Sequence, residues 1–167
     1  MMLNKKNNII LIIIFFVISF SIISALIIEY VLNHKPCSLC LYERIPYFLS
    51  ALLIIKIFFF KKYEKVTLLI LFLIFMISAL LAFYHFGIEQ GFFNESFVCN
   101  VENQLTILSK ENLLKELNKN IVSCKDVTFR ILGLSLAAIN TILSVVLSII
   151  FLKLFFNYGS SSTSQYK

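Results

Sequence analysis

The sequence predicts an all-α membrane protein, a four-transmembrane-helix bundle with two cysteine-bearing outer loops. Its 167 residues are 59% hydrophobic and only 14% charged, they contain four long apolar runs, and their basic residues cluster between those runs. Soluble domains carry roughly 25% charged residues, and so few charges could not cover this much apolar surface. The composition therefore argues against a soluble enzyme, a nucleic-acid binder and a disordered chain.

The four apolar runs have the length of membrane-spanning helices. They cover residues of about 9–28, 41–60, 66–86 and 131–156. About 20 helical residues cross a hydrocarbon core of roughly 30 Å, and a backbone in lipid must satisfy its hydrogen bonds within its own segment. We expect one membrane domain over residues 1–158, with outer loops at about 29–40 and 87–130, and a disordered tail at 159–167.

The first run has an alternative interpretation as a cleaved signal peptide. Lys5 and Lys6 precede it, as basic residues precede such peptides. The run is longer than the apolar core of a signal peptide, which has about 7–15 residues, and no clear A-x-A cleavage site follows. We therefore expect it to be retained as a span.

Pro46 bears on where the second helix begins. A helix starting at Pro46 and ending at Phe60 would be only about 22 Å long, too short to cross the membrane comfortably. We expect the helix to begin near Cys40 or Leu41 and to contain Pro46. Cys40 would then lie beside a helix N-terminus at the membrane surface.

The basic residues predict the orientation of the bundle. Lys5 and Lys6 precede the first span, three lysines occupy the short turn 61–65, and Lys153 lies near the end of the fourth span. Because basic residues favour the cytoplasmic side, both termini and that turn are predicted to be cytoplasmic. All four cysteines then lie on the opposite side.

In the longer outer loop, apolar residues at helical spacing over 113–121 predict a surface amphipathic helix. The alternative is a loosely ordered loop.

The cysteines form two pairs, Cys37-Ser-Leu-Cys40 and Cys99 with Cys124. Three interpretations are open: two structural disulfides, one metal ion held by four thiolates, or thiol–disulfide exchange between the pairs. Exchange is favoured because Arg44 follows Cys40 by one helical turn, and a cation beside a helix N-terminus lowers a thiol pKa. The alternative for Arg44 is an interfacial ion pair with Glu43.

Elimination narrows the possible electron acceptors of such thiol–disulfide exchange. The sequence has no G-x-G-x-x-G or P-loop motif, and its two histidines, His34 and His85, lie in different segments, which does not suit haem. A lipid-soluble quinone is the acceptor that remains.

Three segments resemble the DsbB family of bacterial inner-membrane disulfide oxidoreductases. They are Pro36-Cys-Ser-Leu-Cys-Leu-Tyr-Glu-Arg-Ile-Pro-Tyr47, Phe83-Tyr-His-Phe-Gly-Ile-Glu-Gln90, and Cys124-Lys-Asp-Val-Thr-Phe-Arg-Ile-Leu-Gly-Leu-Ser135 followed by Asn140. The resemblance covers almost the whole chain in matching order. It implies a protein that reoxidises a periplasmic DsbA-like thiol oxidase and reduces ubiquinone or menaquinone from the membrane quinone pool.

The resemblance also implies roles for the cysteines. Cys99 would be attacked by the DsbA-like partner, Cys124 would be freed to attack Cys37, and Cys40 would deliver electrons to the quinone. Arg44 would stabilise the Cys40 thiolate and the quinone. Resting protein is expected to hold a Cys37–Cys40 and a Cys99–Cys124 disulfide, because each pair lies within one loop.

His85 is the further candidate for the quinone site, at the end of the third span. The alternative for His85 is an ordinary histidine at the membrane interface, and Glu89 is a weaker candidate.

Two other functions remain open. One is a structural membrane protein with two disulfide-stapled loops. The other is a vitamin K epoxide reductase-like oxidoreductase, but that family is expected to carry its C-x-x-C late, at the fourth helix, whereas here it comes first.

The lysine distribution gives a testable topology. A reporter fused after Lys167 should behave as cytoplasmic, because both chain ends are predicted to lie on the lysine-rich side. Alkaline phosphatase activity from that fusion would overturn the predicted orientation.

Overall fold

The computed structural model describes residues 5–60, 63–94, 99, 124–125, 130–131 and 133–160. Within them the elements are α1 (Lys5–Tyr30), α2 (Ser38–Phe59), α3 (Glu64–Glu89), β1 (Arg130–Ile131), β2 (Leu134–Ser135) and α4 (Leu136–Ser160). All four helices are long and apolar enough to cross a membrane. The predicted four-helix membrane fold is therefore confirmed.

The fourth helix begins later than the hydrophobic run. Arg130–Ile131 pairs antiparallel with Leu134–Ser135, and Gly133 makes the turn between them at a positive φ of 83°. The Ser135 hydroxyl then accepts a hydrogen bond from the backbone N–H of Ala138 (3.2 Å), which caps α4. The helix therefore starts at Leu136 instead of near residue 131.

The far end of α4 also differs from the expectation. The helix continues to Ser160, so Gly159 and Ser160, which were expected in a disordered tail, are helical. The remainder of that tail, 161–167, and the amphipathic helix predicted over 113–121 lie outside the described residues.

The second helix contains Pro46, as predicted, but begins earlier than predicted. It starts at Ser38 and has 22 residues, which span about 33 Å and suffice to cross the membrane. Cys37 is the N-cap, and its sulfur accepts the backbone N–H of Cys40 at 3.2 Å. An N-cap side chain commonly accepts the backbone N–H three residues later. The two cysteines of a C-x-x-C pair have this same spacing, so the first can cap the backbone N–H of the second.

Aromatic rings fill the middle of the bundle. Phe75 of α3 stacks on Phe151 of α4 with ring centroids 5.6 Å apart, and Tyr47 of α2 meets Phe75 edge-on at 5.6 Å. The third and fourth helices make the most extensive helix pair. Large exposed apolar residues such as Phe16 and Leu52 lie on the outer surface, where a bilayer would cover them.

A line of hydrogen bonds joins three helices within this core. The Tyr47 hydroxyl donates to Asn140 Oδ1 and lies 3.3 Å from Ser144 Oγ, which is 3.2 Å from Ser78 Oγ. Hydrogen bonds between membrane helices contribute roughly 0.6–2 kcal/mol each. They also fix how α2, α3 and α4 are rotated toward one another, which decides which side chains meet at the outer end.

The C-terminal end of α3 closes with a glycine turn. Gly91 has a φ of 78°, its N–H donates to Ile88 O (3.0 Å), and the N–H of Phe92 donates to Gly87 O (2.8 Å). These two bonds and the left-handed residue form a Schellman motif. The turn folds the ring of Phe93 over Gly87, where there is no room for a Cβ atom.

Gly91→Ala is expected to destabilise the protein by about 1–2 kcal/mol, because an L-residue with a Cβ is strained in the left-handed region. Thermal unfolding of the detergent-solubilised protein measures this. Gln90→Ala is the matched control, since Gln90 has right-handed dihedrals (φ −84°). Equal melting temperatures for the two variants would contradict the role assigned to the turn.

Candidate redox site

A cavity of about 320 Å³ lies beside the start of α2, and all four helices contribute to its wall. Its polar lining residues include Cys40, Arg44, His85 and Asn140, and its apolar lining residues include Phe20 and Leu143. The loop before α2 also lines it, and exposed Lys35 places part of the cavity at the protein surface.

Cys37 and Cys40 face each other at the start of α2. They are free thiols with their sulfur atoms 2.6 Å apart, so the disulfide expected between them is not present in this structure. The pKa of the Cys37 thiol is lowered, chiefly because the Cys40 thiol donates a hydrogen bond to its sulfur. The sequence placed Cys40 at the helix N-terminus, whereas Cys37 is the residue that caps it.

Cys99 and Cys124 are joined by a disulfide, as the sequence predicts. A metal ion held by four cysteine thiolates is therefore not compatible with this structure, because two of the four sulfurs are bonded to each other.

The two cysteine pairs belong to one buried cluster. Cys37, Cys99 and Cys124 are 6%, 2% and 2% exposed, and they pack with Leu39 and Ile88. Cys40 packs against the same cluster, and Cys124 also lines the cavity. Cysteines that are distant in sequence therefore belong to one packed cluster.

His85 lies inside the bundle with only 2% of its surface exposed. Its Nδ1 is 2.7 Å from Glu43 Oε1, and its Nε2 is 3.5 Å from the Cys37 sulfur. The same Nε2 is 3.9 Å from Glu89 Oε1, one helical turn away. The histidine thus connects the thiol pair to two carboxylates.

Glu43 is the central residue that the sequence analysis missed. Its carboxylate is buried, with Oε1 held by His85 and Oε2 accepting a hydrogen bond from Asn140 Nδ2 at 2.7 Å. Ionisable side chains within membrane helices are costly unless they have partners, and they usually mark a functional site. Two signals could have found it: its position inside a span, and its spacing of three and four residues from Cys40 and Tyr47, which puts all three on one helix face.

Arg44 does not pair with Glu43, the alternative suggested by their adjacency. It donates to Glu29 Oε2 at the end of α1. The side chains of Arg44 and Glu29 are 19% and 20% exposed, and Arg44 lines the cavity. The contact holds the guanidinium in place while leaving part of it accessible from the cavity.

The cavity has the character of a site for a flat apolar ligand with a few polar atoms. Small-molecule sites are typically apolar clefts of roughly 300–1,000 Å³ with a few polar groups that fix orientation. The lining here combines apolar side chains from α1 and α4 with the Arg44 guanidinium and the His85 imidazole. Such a lining can bind a small, largely apolar ligand that carries hydrogen-bond acceptors.

Comparison with known proteins identifies the family. The family model of Disulfide bond formation protein DsbB matches residues 7–154. The chain is also 29% identical over 141 residues to an uncharacterised protein of Rickettsia prowazekii (strain Madrid E), covering 83% of this chain and 81% of that protein. No solved structure matches the chain at a significant level. The fold, the two cysteine pairs and the family match lead to one conclusion: the chain belongs to the DsbB family, and it is a multi-pass membrane disulfide oxidoreductase.

Proposed function

We propose that this protein reoxidises a periplasmic DsbA-like thiol oxidase and passes the electrons to the membrane quinone pool. One observation carries the proposal: both cysteine pairs share a buried cluster, and that cluster adjoins a cavity of the right size and polarity for a quinone headgroup. A purely structural protein with two stapled loops would not need a free thiol pair beside such a cavity.

The first half-reaction uses the Cys99–Cys124 disulfide. A thiolate of the reduced partner attacks the Cys99 sulfur, so a mixed disulfide forms and Cys124 leaves as a thiolate. The partner's second thiolate then attacks its own sulfur in the mixed disulfide, which frees Cys99. The partner is oxidised by two electrons, and these reside on Cys99 and Cys124.

The second half-reaction begins from the Cys37–Cys40 disulfide. The Cys124 thiolate attacks the Cys37 sulfur, so Cys40 leaves as a thiolate, and Cys99 then attacks Cys124 to restore the first disulfide. Burial of Cys37 and Cys124 in one cluster supports this exchange. This exchange leaves Cys37 and Cys40 as a dithiol.

A quinone bound in the cavity would accept two electrons and two protons. The chain's own residues would hold and orient it: Phe20 and Leu143 contribute apolar surface to the lining, and the planar Arg44 guanidinium offers several hydrogen-bond donors. The pair with Glu29 limits how the guanidinium can move. His85, fixed by Glu43, holds the Cys37 sulfur beside the cavity.

The proposed location is the bacterial inner membrane, with both termini cytoplasmic and the cysteine loops periplasmic. Disulfides persist in the periplasm, and the charge distribution supports this orientation. Cys37, Cys40, Cys99 and Cys124 would be the catalytic residues.

The function is tested with the full-length protein in detergent, an excess of reduced DsbA-like partner, and either a ubiquinone or a menaquinone analogue. Quinone reduction should follow oxidation of the partner in equal amounts. Cys40→Ala should abolish quinone reduction while the mixed disulfide at Cys99 still forms. Quinone reduction that persists in the Cys40→Ala variant, or that never depends on the partner's thiols, would overturn the proposal.

Arg44→Ala is expected to slow quinone reduction while leaving mixed-disulfide formation nearly unchanged. Loss of one charge-assisted contact in a poorly solvated site costs about 2–4 kcal/mol of transition-state stabilisation. That corresponds to roughly 30- to 1,000-fold in rate. Arg44→Lys keeps the charge but loses the fork, so its rate should be intermediate.

Glu29→Gln is the matched variant for the ion pair, since it keeps the size of the side chain but removes its charge. It should reduce the quinone rate less than Arg44→Ala, because the guanidinium remains. The two half-reactions are measured separately. Unchanged quinone kinetics in Arg44→Ala would refute this role, and loss of both half-reactions would indicate misfolding.

A further inference from the structure

Three metal-binding atoms converge at the reduced thiol pair. The Cys37 sulfur, the Cys40 sulfur and His85 Nε2 all lie within 4.8 Å of one another, and all three residues are largely buried. Thiolate and imidazole are the ligands that zinc prefers in proteins. This set is different from the four-cysteine site considered on the sequence alone, because it replaces the disulfide-bonded pair with a histidine.

The histidine is already oriented as a metal ligand would be. The carboxylate of Glu43 accepts a hydrogen bond from His85 Nδ1 (2.7 Å), so in the neutral imidazole the lone pair is on Nε2, which faces the sulfurs. Asn140 holds the other carboxylate oxygen at 2.7 Å. A carboxylate behind the imidazole is the arrangement that commonly orients zinc-bound histidine.

The distances suit a tetrahedral ion after a small adjustment. With Zn–S of about 2.3 Å and Zn–N of about 2.0–2.1 Å, ligand sulfur and nitrogen lie about 3.5 Å apart, and two sulfurs about 3.8 Å apart. Cys37 Sγ and His85 Nε2 are 3.5 Å apart. The two sulfurs, now 2.6 Å apart, would separate by side-chain rotation.

The charge around the site also suits a divalent cation. Two thiolates neutralise Zn²⁺, and the carboxylate of Glu89, with Oε1 3.9 Å from His85 Nε2, adds negative charge beside the site. Two cations face the same cavity, Lys35 and Arg44, but Lys35 is exposed and Arg44 is paired with Glu29. Since the cavity reaches the surface at Lys35, an ion can enter from the outer side.

We propose that the reduced protein binds one Zn²⁺ through Cys37, Cys40 and His85, and that oxidation of the thiol pair abolishes the site. Binding releases the two thiol protons and transfers no electrons. A Cys37–Cys40 disulfide offers no thiolate, so metal affinity depends on the redox state of the pair. Bound zinc also withholds both sulfurs from exchange. This inhibitory consequence rests on the proposed function, whereas the binding itself does not.

The test uses Co²⁺ as a spectroscopic probe in the full chain carrying Cys99→Ala and Cys124→Ala, so that only the C-x-x-C thiols remain. After anaerobic reduction with a phosphine, Co²⁺ should bind one per chain, give thiolate-to-cobalt charge-transfer absorption with a tetrahedral ligand-field band, and be displaced by Zn²⁺. The same protein with its Cys37–Cys40 disulfide formed should give neither signal. Equal Co²⁺ binding by the two redox forms, or no thiolate absorption in the reduced form, would overturn the proposal.

Two variants distinguish a metal site that includes His85 from metal binding by the two thiols alone. Glu43→Gln should weaken binding by about 10- to 100-fold, as expected when the group that orients a ligand is lost, and His85→Ala should weaken it at least as much. Circular dichroism and gel filtration check that each variant is folded. Unchanged cobalt affinity in a folded His85→Ala protein would contradict the assigned ligand set.

Quinone reduction by the wild-type protein, with and without Zn²⁺, separates this inference from the proposed function. Zinc should inhibit the reaction, and a chelator should restore it. Metal binding by a protein that never reduces quinone would leave the zinc site standing and defeat the proposed function. Normal quinone reduction by a protein that fails to bind cobalt would support the proposed function and overturn the zinc site.

Discussion

The arrangement of this site depends on one buried carboxylate. Glu43 lies on a membrane helix, and it is tolerated there because His85 and Asn140 occupy both of its oxygens at 2.7 Å. The three residues come from three different helices, so satisfying the carboxylate fixes how those helices face one another. The same contact aims the imidazole at Cys37, which couples the stability of the bundle to the geometry of its thiols.

The cysteine pair depends on a second local constraint, the start of α2. Cys37 caps the helix, so its sulfur has a fixed position and accepts the N–H of Cys40 at 3.2 Å. A helix N-terminus stabilises a thiolate, and here it acts on the residue that receives attack in the proposed relay. Arg44, two turns from the cap and paired with Glu29, adds a positive charge to the lining of the same cavity.

Sequence alone predicts the features that depend on local spacing. The apolar runs predict the four helices, and the C-x-x-C pair predicts a reactive thiol site, because both are short-range patterns. The contacts Arg44–Glu29 and Glu43–His85 could not be predicted, since each joins helices whose rotation is set by packing. The start of α4 was misjudged for a related reason: the apolar residues before Leu136 pair as a short hairpin instead of extending the helix.

The central claim is that sulfurs from both loops meet beside the cavity. Trapping tests it most directly: in full-length protein carrying Cys40→Ala and Cys99→Ala, only Cys37 and Cys124 can pair. Mild oxidation in membranes should join them within each chain, and peptide mapping should recover the Cys37–Cys124 bond in high yield, because both residues lie in one buried cluster. Recovery of both cysteines as separate alkylated thiols after oxidation would contradict the account.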